Sequence, residues 1–310
     1  KMHCGEGLIS EEGEYSDSIF DSLVLDSNGL RCRHTETSFE YGVEVTVQDA
    51  DGNRFSSYWW DATPMLKDLN IKDCGEIAFK RAMSQIGPVK IESGKYSMVI
   101  ESEVASRLVT PVLNALGGYS LQQKNSFMLD SLGKKMFPEW LNIWDRPVSV
   151  GETGSRLFDS EGVATAEMPI VENGVVKEYF VNTYMSRKMG VEATVEDATR
   201  PVVLPCFAPS VAEPVEATCG KEELMRIVGE GILVTGFNGG NSNSATGDFS
   251  FGVEGFLFKD GKIVHPVREM LITGNLLTLW NNLLAAGNDA RFCKSKLIPT
   301  LAFGNVDFSA

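Results

Sequence analysis

A chain of 310 residues is long for a single hydrophobic core, so its length predicts one large domain accompanied by a smaller one. Apolar residues make up 43% and charged residues 23%, as in ordinary globular proteins, and no window reaches the roughly 18 uninterrupted apolar residues that a membrane span requires. The formal net charge of −14 argues against nucleic acid as a partner, because Lys and Arg supply most of the affinity for phosphates.

Residues 1–88 predict the smaller unit, of α+β type. Apolar and polar side chains alternate over 43–48, which is the pattern of a half-buried strand. The turn-forming residues 49–53 follow, and Phe55–Trp60 is predicted to be the returning strand.

A helix is predicted to close this unit. Phe79, Met83 and Ile86 recur at helical spacing, and Gly87-Pro88 is predicted to end the helix. We therefore expect the boundary between the two units in the segment from Gly87 to Gly94.

Residues 89–310 predict the larger domain. It begins with a strand, Tyr96–Ile100, followed by a helix from about Glu103 to Leu116 that ends at Gly117-Gly118. Two dipeptides farther along, Asn173-Gly174 and Asp260-Gly261, favour type I′ turns and predict β-hairpins. The paired segments are Met168–Val171 with Val175–Val181, and Phe256–Lys259 with Lys262–Val267.

The remaining elements also favour hairpins over strand–helix–strand repeats. The Pro-rich piece from Arg200 to Pro214 predicts a surface loop, and Lys221–Val228 a short helix. A run of small polar residues, Gly236–Gly247, separates two apolar strands, and Asn275–Ala286 predicts a longer helix that buries apolar side chains. Together these elements predict an α+β fold with antiparallel or mixed sheets.

Several segments of the chain are similar to the PmbA/TldD family of metallopeptidase-related proteins, in its PmbA (TldE)-type branch. The resembling segments are Ser126–Leu141, Phe158–Gly190, Thr246-Gly247-Asp248, the strands around Asp260-Gly261, Ile272-Thr273-Gly274-Asn275 and Gly287-Asn288-Asp289. The likeness covers nearly the whole chain. It implies that the chain opens in the family's second segment, and we expect an upstream segment to be missing.

The resemblance also implies where a metal site would lie in catalytic relatives. There, the strand equivalent to Tyr96–Ile100 leads into a helix with H-E-x-x-x-H, and a later cysteine is a further zinc ligand. Two imidazoles one helical turn apart can bind one Zn²⁺, and the glutamate can activate water. This chain has Ser102, Glu103 and Arg107 in the motif, and Cys293 near the place of the cysteine.

These four residues predict a degenerate site with no metal ligand and no catalytic residue. Serine is a poor zinc ligand, and the guanidinium of Arg107 offers no lone pair and repels a cation. We expect Glu103 to pair with Arg107, at i and i+4, rather than act as a base. No cofactor is expected in this chain, and zinc is expected in a partner subunit.

Other candidates for chemistry are weaker. Six scattered cysteines without a C-x-x-C pair predict reduced thiols of a cytoplasmic protein. His3-Cys4 and Cys32-Arg33-His34 lack zinc-finger spacing, and a nucleophilic pair of Cys293 with His265 rests on residue types alone.

The strongest family likeness falls on Thr246, Gly247 and Asp248, with Asn275 nearby. One interpretation is a loop that faces a peptide or a partner subunit, since glycine allows close approach to the main chain. The alternative is a tight strand entry in which Asp248 bonds its own backbone. The residues themselves leave both interpretations open.

The resemblance implies a zinc-less subunit of a peptidase complex. A TldD-type partner would supply the metal, and the pair would process or degrade small unfolded peptides. Any modulation of DNA gyrase, a role long attached to the family, would then be indirect, through a proteolysed regulator. The alternatives are a hydrolase with Cys293 as nucleophile and a non-enzymatic homodimeric interaction module. We expect the isolated chain to be inactive.

Overall fold

The first unit is an antiparallel sheet with one helix packed on it. The computed structural model describes residues 7–211 and 219–310. The strands of this sheet, in both chain and spatial order, are β1 (Leu8–Leu25), β2 (Arg31–Gln48) and β3 (Arg54–Thr63). A short 3₁₀ turn (Leu66–Asp68) leads to α1 (Cys74–Ser84). Helix α1 packs on β2 and β3, where Val45, Val47, Phe55, Ala78 and Ala82 form a small core.

Strand β1 had no clear sequence signal. Its 18 residues pair with β2 along the whole length, but nearly all of them are exposed, so neither face shows an apolar alternation. Beyond the reach of β3, the two strands continue as a hairpin whose turn region contacts the larger domain at Gly162, close to Val24 and Leu30.

The larger domain is built around a seven-stranded mixed sheet. Its spatial order is β12-β11-β10-β4-β14-β13-β9, with β4 and β10 parallel and all other neighbours antiparallel. The strands are β4 (Gly94–Ile100), β9 (Cys206–Phe207), β10 (Gly231–Ser242), β11 (Asp248–Lys259), β12 (Lys262–Asn275), β13 (Leu283–Ala286) and β14 (Leu301–Ser309).

A second, small sheet lies in the same domain. Its order is β7-β6-β5-β8, all antiparallel. The strands are β5 (Ile143–Asp145), β6 (Met168–Glu172), β7 (Val175–Val176) and β8 (Pro201–Val203).

Five helices accompany these sheets in the described part of the domain. They are α2 (Ser106–Ala115), α3 (Gly118–Gln122), α4 (Thr183–Met189), α5 (Lys221–Val228) and α6 (Leu276–Asn281). Among the residues that the structure describes, no helix is long and apolar enough to cross a membrane.

Both faces of the centre of the large sheet are buried, which explains the continuous apolar runs of its central strands. Met98 and Ile100 of β4 face the main core, which also contains Leu108 of α2 and Trp280 of α6. Val99, between them in sequence, faces the opposite side, where α5 packs. The predicted α+β class, with a small N-terminal unit and a larger C-terminal domain, is confirmed.

Both predicted type I′ turns are present. The φ angles are +49° and +75° at Asn173 and Gly174, and +51° and +70° at Asp260 and Gly261. The strand after the first turn ends at Val176 rather than Val181, whereas the strands of the second hairpin are longer than predicted.

Four sequence predictions were wrong in detail. The helix expected from Glu103 begins at Ser106, so Ser102–Ala105 form a turn. The helix expected over Asn275–Ala286 is only α6, because Leu283–Ala286 form β13. The expected glycine-rich loop is largely the continuation of β10 to Ser242, with bulges after Val234 and Phe237.

The fourth error concerns the Pro-rich segment, predicted to be a surface loop. It contributes the buried strand β8 and the whole of β9, while its end at Pro214 lies outside the described residues. The segment is held inside at Arg200, which is 1% exposed. Arg200 forms an ion pair with Glu152 and donates its main-chain N–H to Asp145. Long-range pairing, which composition does not encode, therefore buries this segment.

Candidate functional site

The degenerate site lies in the turn that joins β4 to α2. The main-chain N–H groups of Val104 and Ala105 both donate to the carbonyl of Glu101, at 3.0 and 2.9 Å, and this closes the turn before α2 begins. The N–H of Ser102 donates to Thr300 Oγ1 at 3.3 Å. Ser102 lies in this turn and Arg107 lies in α2. The two residues at the histidine positions of the predicted motif therefore do not share one helix face.

Glu103 is held between two cations. Arg291 NH1 donates to Glu103 Oε1 at 2.8 Å, and Lys294 Nζ lies 2.9 Å from Glu103 Oε2. The side chains of all three residues are less than a fifth exposed. The expected pairing of Glu103 with Arg107 is therefore wrong, because partners distant in sequence occupy both carboxylate oxygens.

Lys294 also holds the main chain of this turn, and Arg291 fastens the turn to the N-terminal sheet. Lys294 Nζ donates to the carbonyl of Glu103 at 2.7 Å. The guanidinium of Arg291 lies over Trp59, 4.3 Å from the ring centroid, donates to the carbonyl of Trp60, and is 3.9 Å from Asp61. Stacking and ion pairing at one arginine thus join β3 to the turn after β4.

Arg107 points to the other side of the turn. Its NH2 donates to the carbonyl of Gly240 in β10 at 2.9 Å, and its guanidinium lies 5.1 Å from the ring centroid of Phe251. Among the described residues, no carboxylate lies within 4.0 Å of this guanidinium. Arg107 is exposed and carries an unneutralised positive charge.

Cys293 is a buried thiol beside this cluster. It is 6% exposed, and burial raises the pKa of its thiol. It lines a cavity of about 280 Å³ with Asp61 and Phe292, whereas His265 lines a different cavity and has its Nδ1 3.2 Å from the carbonyl of Pro266. A protonated, buried sulfur without an adjacent base is a poor nucleophile.

These residues do not fit a zinc ion. Ser102, Arg107 and the doubly paired Glu103 leave Cys293 as the one unpaired donor of a kind that zinc prefers. In the part of the chain that the structure describes, no group of three or more His, Cys, Asp or Glu is arranged to hold a metal.

The other histidine candidates are dispersed. His34 lies in β2 with its Nε2 3.6 Å from Glu36, and Cys32 Sγ is 4.0 Å from the carbonyl of Gly162. His3 and Cys4 lie outside the described residues.

Thr246, Asp248 and Asn275 form one hydrogen-bonded cluster. Thr246 Oγ1 donates to Asp248 Oδ2 at 2.7 Å, and Asn275 Nδ2 donates to Asp248 Oδ1 at 3.0 Å and to the carbonyl of Thr246 at 2.8 Å. Hydrogen bonds from Asn275 and Thr246 lower the pKa of the Asp248 carboxyl. Asn275 also caps α6 through Leu277 N. The cluster closes the β10–β11 connection onto α6.

Gly247 in the middle of this cluster has φ +80° and is buried against Phe127. Its lack of a side chain therefore serves local packing at a left-handed position. The side chain of Asp248 accepts from Thr246 and Asn275, and not from its own backbone as in the strand-entry interpretation.

Two cavities follow β10 where no strand covers its outer edge. Strand β4 pairs with β10 only as far as Val234, and in the described residues no strand replaces it beyond that point. The first, here called the α2 cleft, measures about 530 Å³ and lies between α2 and the end of β10. The second, the tryptophan cavity, measures about 610 Å³ and is lined by Trp59 and Trp60. Val104 lines both.

Sequence reasoning missed three residues of this region. Arg291 and Lys294, which hold Glu103, follow the Gly287-Asn288-Asp289 turn, and nothing in their local pattern marks them. Glu101 also escaped attention: it is 4% exposed and bound by Arg81 at 2.8 Å and Lys221 at 2.7 Å. A charged residue at the end of an apolar strand was the only available signal.

Comparisons with known proteins identify relatives over the whole chain. Residues 93–310 match the model of the PmbA/TldA metallopeptidase C-terminal domain, and residues 6–86 match that of the PmbA/TldA metallopeptidase central domain. Metalloprotease PmbA of Escherichia coli O157:H7 is 30% identical over 97% of this chain and 66% of its own length. A Haemophilus influenzae homologue of PmbA is 35% identical over 69% of this chain and 46% of its own.

A solved structure shares the fold closely. A protein of Bacteroides thetaiotaomicron, described as a proposed modulator of DNA gyrase, superimposes with a TM-score of 0.93 and 40% identity. The match covers 100% of this chain and 68% of that one. The chain thus spans two thirds or less of the length of the curated relatives.

Proposed function

This chain belongs to the PmbA/TldD family, and from that premise we propose that it acts as a PmbA (TldE)-like subunit of a peptidase complex, one that binds no zinc itself. The relatives are named metalloproteases, and a TldD-type partner would supply the metal. The complex would process or degrade small unfolded peptides in the cytoplasm. The five cysteines in the described residues are free thiols, which supports a reducing compartment.

The observation that carries this proposal is the state of Glu103. A general base must be free to accept a proton from water. Here Arg291 and Lys294 hold both carboxylate oxygens at 2.8 and 2.9 Å. The charge of Arg107 would also oppose a cation at the second histidine position. We therefore assign hydrolysis to the partner and no catalytic step to this chain.

The free edge of β10 supports a role in holding peptides. Unpaired main-chain groups at a sheet edge can bind an extended peptide as an added strand. The edge beyond Val234 runs between the tryptophan cavity and the α2 cleft, so a peptide strand there would have a pocket at each end. In this proposal the Thr246–Asp248–Asn275 cluster supports the end of that groove and does not itself bind the peptide.

Peptidase assays test the proposal directly. The purified chain, a TldD-type subunit and their mixture are each incubated with an unstructured peptide, with and without a metal chelator. We expect no turnover by the chain alone and chelator-sensitive cleavage by the mixture. Cleavage by the isolated chain in the presence of chelator would refute the proposal.

Metal analysis provides a second, independent measurement. We expect the chain alone to contain far less than one zinc per molecule, and the co-expressed complex to contain zinc in proportion to the partner. Stoichiometric zinc in the isolated chain would contradict the assignment of Ser102 and Arg107.

A homodimer is the second candidate assembly, and the hairpin of β1 and β2 favours it. Ile19, Phe20 and Leu25 are 75%, 55% and 61% exposed, an unusual density of apolar surface on one strand. The outer edge of β1 has no strand partner among the described residues. Light scattering of the chain alone and with a TldD-type subunit distinguishes a self-associating chain from one that is monomeric until its partner is added.

A further inference from the structure

The α2 cleft combines one positive charge with an aromatic wall. Arg107 is the one charged residue among its lining residues. The aromatic part consists of Phe127, Phe237 and Phe251, and the polar part of serine, threonine and asparagine side chains such as Thr110 and Asn241. A ligand that fits this lining carries one negative charge next to an apolar group.

The guanidinium of Arg107 is held in place, but only part of its hydrogen-bond donors are used. Stacking on Phe251 and the hydrogen bond to the carbonyl of Gly240 fix the plane of the guanidinium. Its Nε and NH1 have no protein partner among the described residues, so N–H groups of the guanidinium remain free to donate to a carboxylate.

The position of the cleft, at the end of the free edge of β10, favours the C-terminal carboxylate of a peptide as its ligand. Its wall includes Asn241 and Ser242, at the end of the free edge of β10. A peptide added to that edge as a strand would reach the cleft with one of its ends. Since the charge in the cleft is positive, that end would be the carboxyl terminus.

We propose that the α2 cleft binds the C-terminal carboxylate of a peptide whose last side chain is aromatic or large and aliphatic. Arg107 pairs with the carboxylate, and the three phenylalanines contact the side chain. This deepens the proposed function and rests on it only in taking the ligand to be a peptide. It assigns to this chain a recognition of peptide ends that requires no metal and no turnover.

Peptide binding to the isolated chain tests the proposal separately from peptidase activity. An unstructured pentapeptide that ends in phenylalanine carries a fluorophore at its N-terminus, and binding is followed by fluorescence anisotropy. Three matched peptides serve as controls: one has a C-terminal amide, one ends in glycine, and one has a C-terminal amide together with an internal aspartate. We expect the free acid ending in phenylalanine to bind at least about fivefold more tightly than each of the others, a modest factor because Arg107 is exposed.

Variants locate the effect. Arg107→Gln should abolish the difference between acid and amide, and Arg107→Lys should retain part of it. Arg187→Gln, which removes an exposed arginine of α4 outside the cleft, should leave the difference unchanged. Circular dichroism and thermal unfolding establish that each variant is folded.

The outcomes are decisive in both directions. Equal binding of acid and amide by the original chain, or discrimination that survives in Arg107→Gln, would overturn the proposal. So would the absence of any peptide binding at millimolar concentration. If N-acetylphenylalanine competes as strongly as the pentapeptide, the ligand is a small aromatic acid and the assignment to peptide ends is wrong. Loss of carboxylate recognition would leave the proposed partnership with a TldD-type subunit intact.

Discussion

A single carboxylate, Glu103, shows most clearly how tertiary contacts change the role that a sequence pattern suggests. Sequence pattern retains the glutamate of the metal motif, but the tertiary structure surrounds it with Arg291 and Lys294. A glutamate in this position is a structural anion. The contribution of Glu103 to the free energy of unfolding can therefore be measured.

Replacing Glu103 with glutamine should destabilise the fold by about 2 kcal/mol, because two partly buried cations lose their counter-charge. Urea unfolding at pH 7 measures the change. Glu167→Gln breaks an exposed pair with Arg146 and should cost less than about 0.5 kcal/mol. An unchanged unfolding midpoint for Glu103→Gln would show that the ion pairs do not contribute.

Cysteine reactivity should follow burial. Burial raises the pKa of the Cys206 thiol to about 12 and that of Cys219 to about 11, and it also raises the pKa of Cys293. The reactive thiolate form of these three is therefore scarce at pH 8. Among the described cysteines, we expect iodoacetamide to label the half-buried Cys32 first in the folded chain, and all of them at similar rates in urea. Mass spectrometry measures the order in which the cysteines are labelled. Early modification of Cys293 would support its alternative role as a nucleophile.

At the scale of elements, a buried ion cluster ties two helices to the central sheet. Glu101 at the end of β4 accepts from Arg81 of α1 and Lys221 of α5. Burial raises the pKa of the Glu101 carboxyl, but the charges and hydrogen bonds of Arg81 and Lys221 outweigh it, and the net pKa is lowered. Ionised Glu101 therefore stabilises the folded state.

This cluster predicts a pH dependence. A carboxyl whose pKa is lower in the folded than in the unfolded chain stabilises the fold above its unfolded pKa, and the contribution disappears as pH falls through the folded pKa. Glu101→Gln should cost roughly 3 kcal/mol at pH 7, and the difference from the original chain should shrink below about pH 4.5. Urea unfolding between pH 7 and 3 measures it, with the exposed Glu139→Gln as control. A difference that is constant with pH would contradict the assignment.

At the scale of the whole molecule, the N-terminal sheet and the larger domain meet at Arg291. This residue contacts Trp59, Trp60 and Asp61 of β3 as well as Glu103. The contact also separates the tryptophan cavity from the small cavity that contains Cys293, since Trp60 lines the first and Arg291 the second.

Replacing Arg291 with methionine should loosen this junction without disrupting either core. We expect cleavage by a protease in the connecting segment 85–93 to be at least about tenfold faster, because the N-terminal sheet separates more often. Arg54→Met, an exposed change on the same strand β3, should leave the rate unchanged. Equal rates for the two variants would place the stability of the junction elsewhere.

Local pattern in the sequence determined the α+β class, the two type I′ hairpins and helix α5, because each depends on residues close together along the chain. Tertiary structure alone decided the rest. Arg291, which binds Glu103, and Lys221, which binds Glu101, each lie more than a hundred residues from their partner in the chain. Long-range strand pairing converted Leu283–Ala286 and Pro201–Val203 into strands. The free edge of β10 exists only because β4 turns away at Ile100, and periodicity within either strand carries no information about where its neighbour ends.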